Sequence, residues 1–348
     1  MSPATATANP TPREAGFAMP AEWAPHTATW MTWPTNPALW PDRFKHIESI
    51  FTRLAATISQ FETVHINAHP TFHPHIEHQL ADADVQAFRL FPHPSNDVWC
   101  RDHGPTFLRH PDSGEIALVD WTYNAWGGKF PPWDLDDAIP RRISETTGLR
   151  RFAAPLVCEG GAIETNGHGR ILTTESVLLN PNRNPNLDKA KVERLLSDFL
   201  GADEILWLPG GLEGDDTDGH IDTLSRFFSA NAVLTAIETH RKHPNHTLLT
   251  NNKQILIDYG LEVVELPQPA PIRAPKDWRQ PFLPGSYANF LIVNNAVIVP
   301  TYQQPEADQR ALEIIGSCFP HHQITPFDCL DLLLEGGAIH CLTQQQPA

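Results

Sequence analysis

Cationic side chains are scarce in this chain, cysteines are few and unpatterned, and a long apolar run is missing. Lys and Arg number 25 against 41 Asp and Glu, a formal charge of −16. That balance speaks against nucleic acid or an anionic membrane surface as partner and suits a cationic one, although solubility alone accounts for many acidic chains. Cys100, Cys158, Cys318, Cys329 and Cys341 are widely scattered, odd in number and form no CxxC pair. Neither a disulfide framework nor a thiolate zinc site is expected, and a reducing compartment fits best. No stretch of about 18 apolar residues occurs, so no membrane-spanning helix is expected. The opening MSPATATANPTPREAGF lacks the apolar centre of a secretory signal. It reads as a disordered Pro/Ala/Thr tail over 1–18, ahead of an ordered domain over 19–348. These features together predict a cytoplasmic protein.

Proline, by contrast, is abundant, with 33 residues falling between apolar runs rather than in one linker. That is the pattern of many short elements joined by ordered turns. Three stretches keep a helical apolar stripe: 43–61, 186–201 (ending on a glycine suited to a C-cap) and 306–320. Between them the chain alternates short apolar runs with turn residues. Such hairpins are expected over 104–121, 160–179, 219–237 and 286–302, and a fifth begins at 336 and stops with the chain. The second and fifth start with the same five letters, EGGAI, at 159–163 and 335–339. Identity at the same place in two hairpins marks an internal repeat. Five like units predict an α/β fold closed around a central axis, a pseudo-symmetric five-bladed αβ propeller in a single domain.

In such a ring the segments leading into each hairpin converge on the axis. They carry Asp97, Arg101 and Asp102; Glu159; Asp215, Asp216, Asp218, His220 and Asp222; and Glu335, His340 and Cys341. A thiol is the best side-chain nucleophile near neutral pH once ionised, and an imidazole can give and take protons. An excess of carboxylates is wrong for an anionic ligand but suits a guanidinium, whose planar fork pairs bidentately with them. Thiol attack on a guanidinium carbon is therefore the chemistry these residues favour. If HID at 220–222 is a strand, His220 and Asp222 share a face. The adjacent His340 and Cys341 would point oppositely, with Cys341 inward and His340 packed behind. Two bland readings stand beside this. The acids of GDDTDGHID resemble a calcium loop but lack its closing Glu. His65, His69, His73, His75 and His78 are broken up by Pro70 and Pro74 and read as surface histidines rather than a metal site.

NDVWCRDHGPTFL, NAWGGKF, EGGAIETNG, LLNPNRNP, WLPGGLEGDDTDGHID and GGAIHCLTQQQP follow one another in this order. With MPAEWAPHTATWMTWP at 19–34 they make nearly the whole chain resemble the agmatine deiminase family of the guanidine-modifying pentein superfamily. The resemblance implies the five-bladed propeller. It implies Cys341 as nucleophile, His220 as general acid and base, Glu159 as the acid partnering that histidine, and Asp97 and Asp222 as the grip on the guanidinium. Trp99 and Asp216, within the same motifs, are expected to touch substrate. The implied reaction converts agmatine to N-carbamoylputrescine and ammonia through an amidino-cysteine, with no metal or other cofactor, in a homodimer. Many members read GDEDTNGHID where this chain has the shorter GDDTDGHID, a departure that bears on distal specificity rather than on chemistry. Deimination of arginine or peptidyl-arginine, transfer of the amidino group to an amine, and a non-catalytic guanidine-binding role are the alternatives. The first would need a cation for a carboxylate, the second differs in its product, and loss of the nucleophile would mark the third.

Overall fold

A computed structural model describes residues 10–40, 42–276 and 281–348. Where the chain reads as apolar runs split by Gly, Asn or Ser turns, it forms strands β1 (His26–Thr32), β2 (Thr63–Asn67), β3 (Phe88–Phe91), β4 (Thr106–Arg109), β5 (Ile116–Thr122), β6 (Arg150–Val157), β7 (Glu164–Thr165), β8 (Arg170–Thr174) and β9 (Glu204–Leu208). β10 (Ser225–Ser229), β11 (Ala232–Ile237) and β12 (Glu262–Pro267) follow, then a small pair, β13 (Ile272–Arg273) and β14 (Phe282–Leu283). β15 (Leu291–Val293), β16 (Ala296–Thr301), β17 (Gln323–Asp328) and β18 (Thr343–Pro347) complete the strands of a mixed α/β fold.

Five sheets among the described residues share one plan: an antiparallel hairpin, a helical crossover, and a third strand parallel to the second. β4-β5-β6, β7-β8-β9, β10-β11-β12 and β15-β16-β17 follow it. Their crossovers carry helices Ile139–Thr147, Lys189–Leu200, Asn245–Asp258 and Pro305–Cys318. The fifth unit, which stops short in the sequence, is completed by the opposite end of the chain. β18 pairs antiparallel with β1, and helix Phe44–Ile58 then leads to the parallel β2, with β3 added beyond it. A linear reading sees half a unit because the repeat is permuted across the termini.

Local sequence explains the clearest helices. In Phe44–Ile58 the buried Ile47, Ile50, Phe51, Leu54, Ala55 and Ile58 recur every three or four residues. Lys189–Leu200 starts where the Asp188 side chain accepts from Lys191 N–H at 2.9 Å and stops at Gly201, whose φ of 69° suits glycine. Helices His73–Asp82, Ile139–Thr147 and Asn245–Asp258 are not among the expected ones. The last buries Asn245 and Asn252 beside Leu249 and Leu256, so packing holds a segment whose composition is a poor helix signal.

Two expectations need correction. Order does not start at Met19. Residues 10–18 belong to the fold: Phe17 is buried, Ala18 bridges Arg109, and Arg13 reaches Ala202 and Asp203. A Pro/Thr-rich composition hid a single anchoring aromatic; residues 1–9 of the expected tail lie outside the described ones. The segment Ile221–Thr223 is a 3-10 turn, not a strand. Of the expected surface histidines, His65 packs against Trp30 and Phe91. No helix among the described residues is long and apolar enough to cross a membrane.

The turns leading into the five hairpins meet one another in sequence order. Gly161 N–H donates to Asp102 Oδ1 at 3.0 Å, and His220 lies 3.9 Å from Glu159. The Ser286 hydroxyl donates to the Thr223 carbonyl at 2.6 Å, and His340 N–H donates to Asn289 Oδ1 at 3.1 Å. Arg101 N–H donates to the Cys341 carbonyl at 3.1 Å, which returns to the first unit. Behind these turns lies a buried ionic cluster. Arg226 reaches Glu22 at 2.6 Å and Glu164 at 2.9 Å. Removing one member strands the others without water. Arg226→Met is expected to lower unfolding free energy by roughly 3–5 kcal/mol in urea titrations, whereas a loss under 1 kcal/mol would mean that the two carboxylates find other partners.

Candidate active site

The two glycine pairs of the repeated pentapeptide explain themselves in space. A Cβ on Gly161 would fall 2.5 Å from His220 Nδ1 and 2.8 Å from Asp102 Oδ1, and one on Gly337 would fall 2.4 Å from the Trp99 ring. Each pair lets neighbouring turns approach closer than any side chain allows. Approach at the first brings an imidazole among carboxylates; approach at the second sets an indole on the wall of a cavity.

That cavity, of ≈ 530 Å³, has Cys341 on its wall together with Asp97, Trp99, Asp102, Asp216 and Glu335, and with Trp126 and Phe130 as further aromatic surface. Of the expected site residues, Asp97, Trp99, Asp216 and Cys341 thus share one wall. His220, Glu159 and Asp222 are fully buried behind it and linked to it by contact. Asp222 Oδ2 is 3.7 Å from the Cys341 sulfur, and its Oδ1 has no hydrogen-bond partner. His340 lies behind, its Nδ1 2.7 Å from Asp222 Oδ2 and its Nε2 2.9 Å from Glu22. Cys341 lines the cavity and His340 does not, but both leave a turn at 339–342 rather than a strand and both reach Asp222 Oδ2.

His220 lies 3.6 Å from Asp102 and 3.9 Å from Glu159, and neither ring nitrogen makes a hydrogen bond. Burial alone would favour neutral imidazole, but Asp102, Glu159 and Asp222 outweigh it and push the pKa up to about 9. At neutral pH the ring is charged. Asp102, buried beside other carboxylates, rises to about 6 even with the histidine opposing. Glu159 is held below the ordinary range although it is buried, because His220 and the Arg183 guanidinium, 2.6 Å away, favour its anion. Cys341 is the opposite case: burial first, then Asp222 and Asp102, push its thiol well above the ordinary range, against the Asn289 amide that donates to the sulfur at 3.2 Å. The resting group is a thiol, and a cation in the cavity is what its surroundings call for.

Several residues here carried no expected role. Asp102 stands closer to His220 than Glu159 does, so Glu159 is not the sole carboxylate that supports that imidazole. Asn289 touches the thiol, Glu22 closes the back of the site and Arg183 holds Glu159. Asp102 shares a motif with Asp97, but nothing in the spacing of Glu22, Arg183 or Asn289 links them to Cys341; only folding does.

Residues 18–347 match the family described as Porphyromonas-type peptidyl-arginine deiminase. The agmatine deiminase of Pseudomonas syringae pv. tomato is 39% identical over 368 residues, covering 98% of each chain. Among solved structures, the agmatine deiminase of Enterococcus faecalis superposes with a TM-score of 0.91 at 33% identity, covering 97% of this chain and 98% of that one. The C. jejuni agmatine deiminase with substrate bound gives 0.88 at 29%, covering 95% and 96%.

If Asp102 is the main support of the charged imidazole, Asp102→Asn should bring the His220 titration, followed by NMR, down from about 9 towards the ordinary histidine range. A titration that stays near 9 would assign that role to Glu159 and Asp222.

Proposed function

The chain belongs to the Porphyromonas-type peptidyl-arginine deiminase family, and we infer that it hydrolyses agmatine to N-carbamoylputrescine and ammonia through Cys341. One observation carries the substrate. Among the described residues the cavity wall holds four carboxylates, Asp97, Asp102, Asp216 and Glu335, and one ammonium, Lys129, which is already paired with Asp218. Agmatine carries a guanidinium and a distal ammonium, so both its ends meet negative potential. A substrate with a carboxylate near its far end meets the wrong sign. The relatives named above are agmatine deiminases. The five units, linked turn to turn in a cycle, support the further reading that the sheets close as a five-bladed propeller with this cavity on its axis.

The mechanism follows from the electrostatics. Asp97 on the wall and the unpartnered Oδ1 of Asp222 take the guanidinium N–H groups, fixing the plane that the sulfur must approach. The incoming cation offsets the carboxylates that raise the thiol, and Cys341 ionises as substrate binds. The thiolate adds to the central carbon. Charged His220 gives its proton to the departing nitrogen, the C–N bond breaks and ammonia leaves, with the amidino group on sulfur. Neutral His220 then takes a proton from water, which adds to the same carbon. The C–S bond breaks as the hydroxyl proton of the adduct passes to the leaving sulfur, releasing the urea product and restoring the resting thiol. Glu159 and Asp102 keep His220 in its charged form between turnovers, and every group needed belongs to the chain.

Ammonia release from agmatine and from arginine, measured side by side, tests this. Release from agmatine that exceeds release from arginine and vanishes in Cys341→Ala is expected, with activity lost as pH rises through about 9, where His220 gives up its proton. Release from arginine alone, or undiminished release by the alanine variant, contradicts the assignment.

A further inference from the structure

Among the described residues, Lys129 is the one cationic side chain on the wall of the Cys341 cavity. Its Nζ donates to Asp218 Oδ1 at 2.7 Å and to the Asp216 carbonyl at 2.7 Å. Asp218 is itself held from the other side, by Arg183 at 2.8 Å and by the Asn182 amide at 3.2 Å. It sits at φ 72°, in the left-handed region, which aspartate tolerates better than most non-glycine residues. The pair is therefore fixed at both ends and only about a third exposed at Lys129, unlike a surface pair between two mobile side chains.

Agmatine and arginine are identical at the guanidinium and along the methylenes; they differ in the carboxylate that arginine carries beside its amine. A cation on the wall is what would receive that carboxylate. We propose that Asp218 makes Lys129 a specificity determinant: by holding the ammonium, it denies the cavity a free cation, so that guanidino amines are accepted and guanidino carboxylates refused. To serve a carboxylate, Lys129 would have to leave Asp218 and the Asp216 carbonyl. Discrimination of this kind comes from withholding a partner as much as from supplying one. The inference rests on the agmatine reading above and adds the residues that enforce it.

Asp218→Asn tests the idea, since asparagine tolerates the left-handed backbone as well as aspartate does; Asp218→Gly, suited to the same φ, serves as a second variant. Each frees Lys129. The ratio of kcat/KM for agmatine to that for arginine is expected to fall about tenfold, the order of one charge interaction. Loosening of Arg183, and through it of Glu159, slows both substrates together and leaves that ratio unmoved. Lys129→Met combined with Asp218→Asn removes the freed cation and is expected to restore the wild-type ratio. An unchanged ratio in both single variants, or an equal fall in the double variant, overturns the proposal while leaving the agmatine reading standing. A wild-type protein inactive on agmatine overturns both.

Discussion

A carboxylate cut off from water stays ionised only where cations or hydrogen-bond donors meet it, and this molecule is organised around that demand. Glu22 is the clearest case. Although burial opposes its charge, Arg226, His340 and Arg101 hold it well below the ordinary carboxylate range. Those partners come from the third hairpin, the last turn and the first turn, while Glu22 itself lies near the start of the chain. Satisfying one side chain thus fastens distant segments at one point. The same atoms bear on the site, because the imidazole that Glu22 contacts through Nε2 contacts Asp222 through Nδ1.

Seen from the cavity, the consequence is a gradient of charge. Deep positions are compensated: Glu159 by Arg183, Asp222 by His340, Glu22 by Arg226. On the wall beside Cys341, among the described residues, Asp97, Asp102, Asp216 and Glu335 stand with one cation, Lys129, which is itself engaged. In the proposed mechanism a cationic ligand completes the pattern, and its arrival also lets the thiol ionise. Binding and activation then depend on one charge, so a molecule without it neither binds well nor meets a nucleophile.

His220 needs the opposite tuning. A buried imidazole without carboxylate neighbours would be neutral; three carboxylates reverse that, as the proposed role of an acid requires. The close approach at Gly161 is what permits the crowding, which gives a physical reason for a glycine pair at that point of the repeat.

Much of this was legible in the letters. The duplicated EGGAI, the alternation of apolar runs with turn residues and the polar residues ahead of each hairpin were enough to expect five related units and the carboxylate, imidazole and thiol set of the site. These are local signals, since period, turn chemistry and side-chain type are written residue by residue. The partners Glu22, Arg183 and Asn289 were not legible, nor were the 3-10 turn at Ile221–Thr223 and the anchoring of Phe17. Nor could a linear reading see that β1 completes the unit that β18 begins. Sequence by itself determined which chemical groups the protein owns and how often its structural unit recurs. Tertiary structure alone decided which group faces which, and with that the charge each carries, because pairing, burial and Coulomb interaction depend on distance through space and not along the chain.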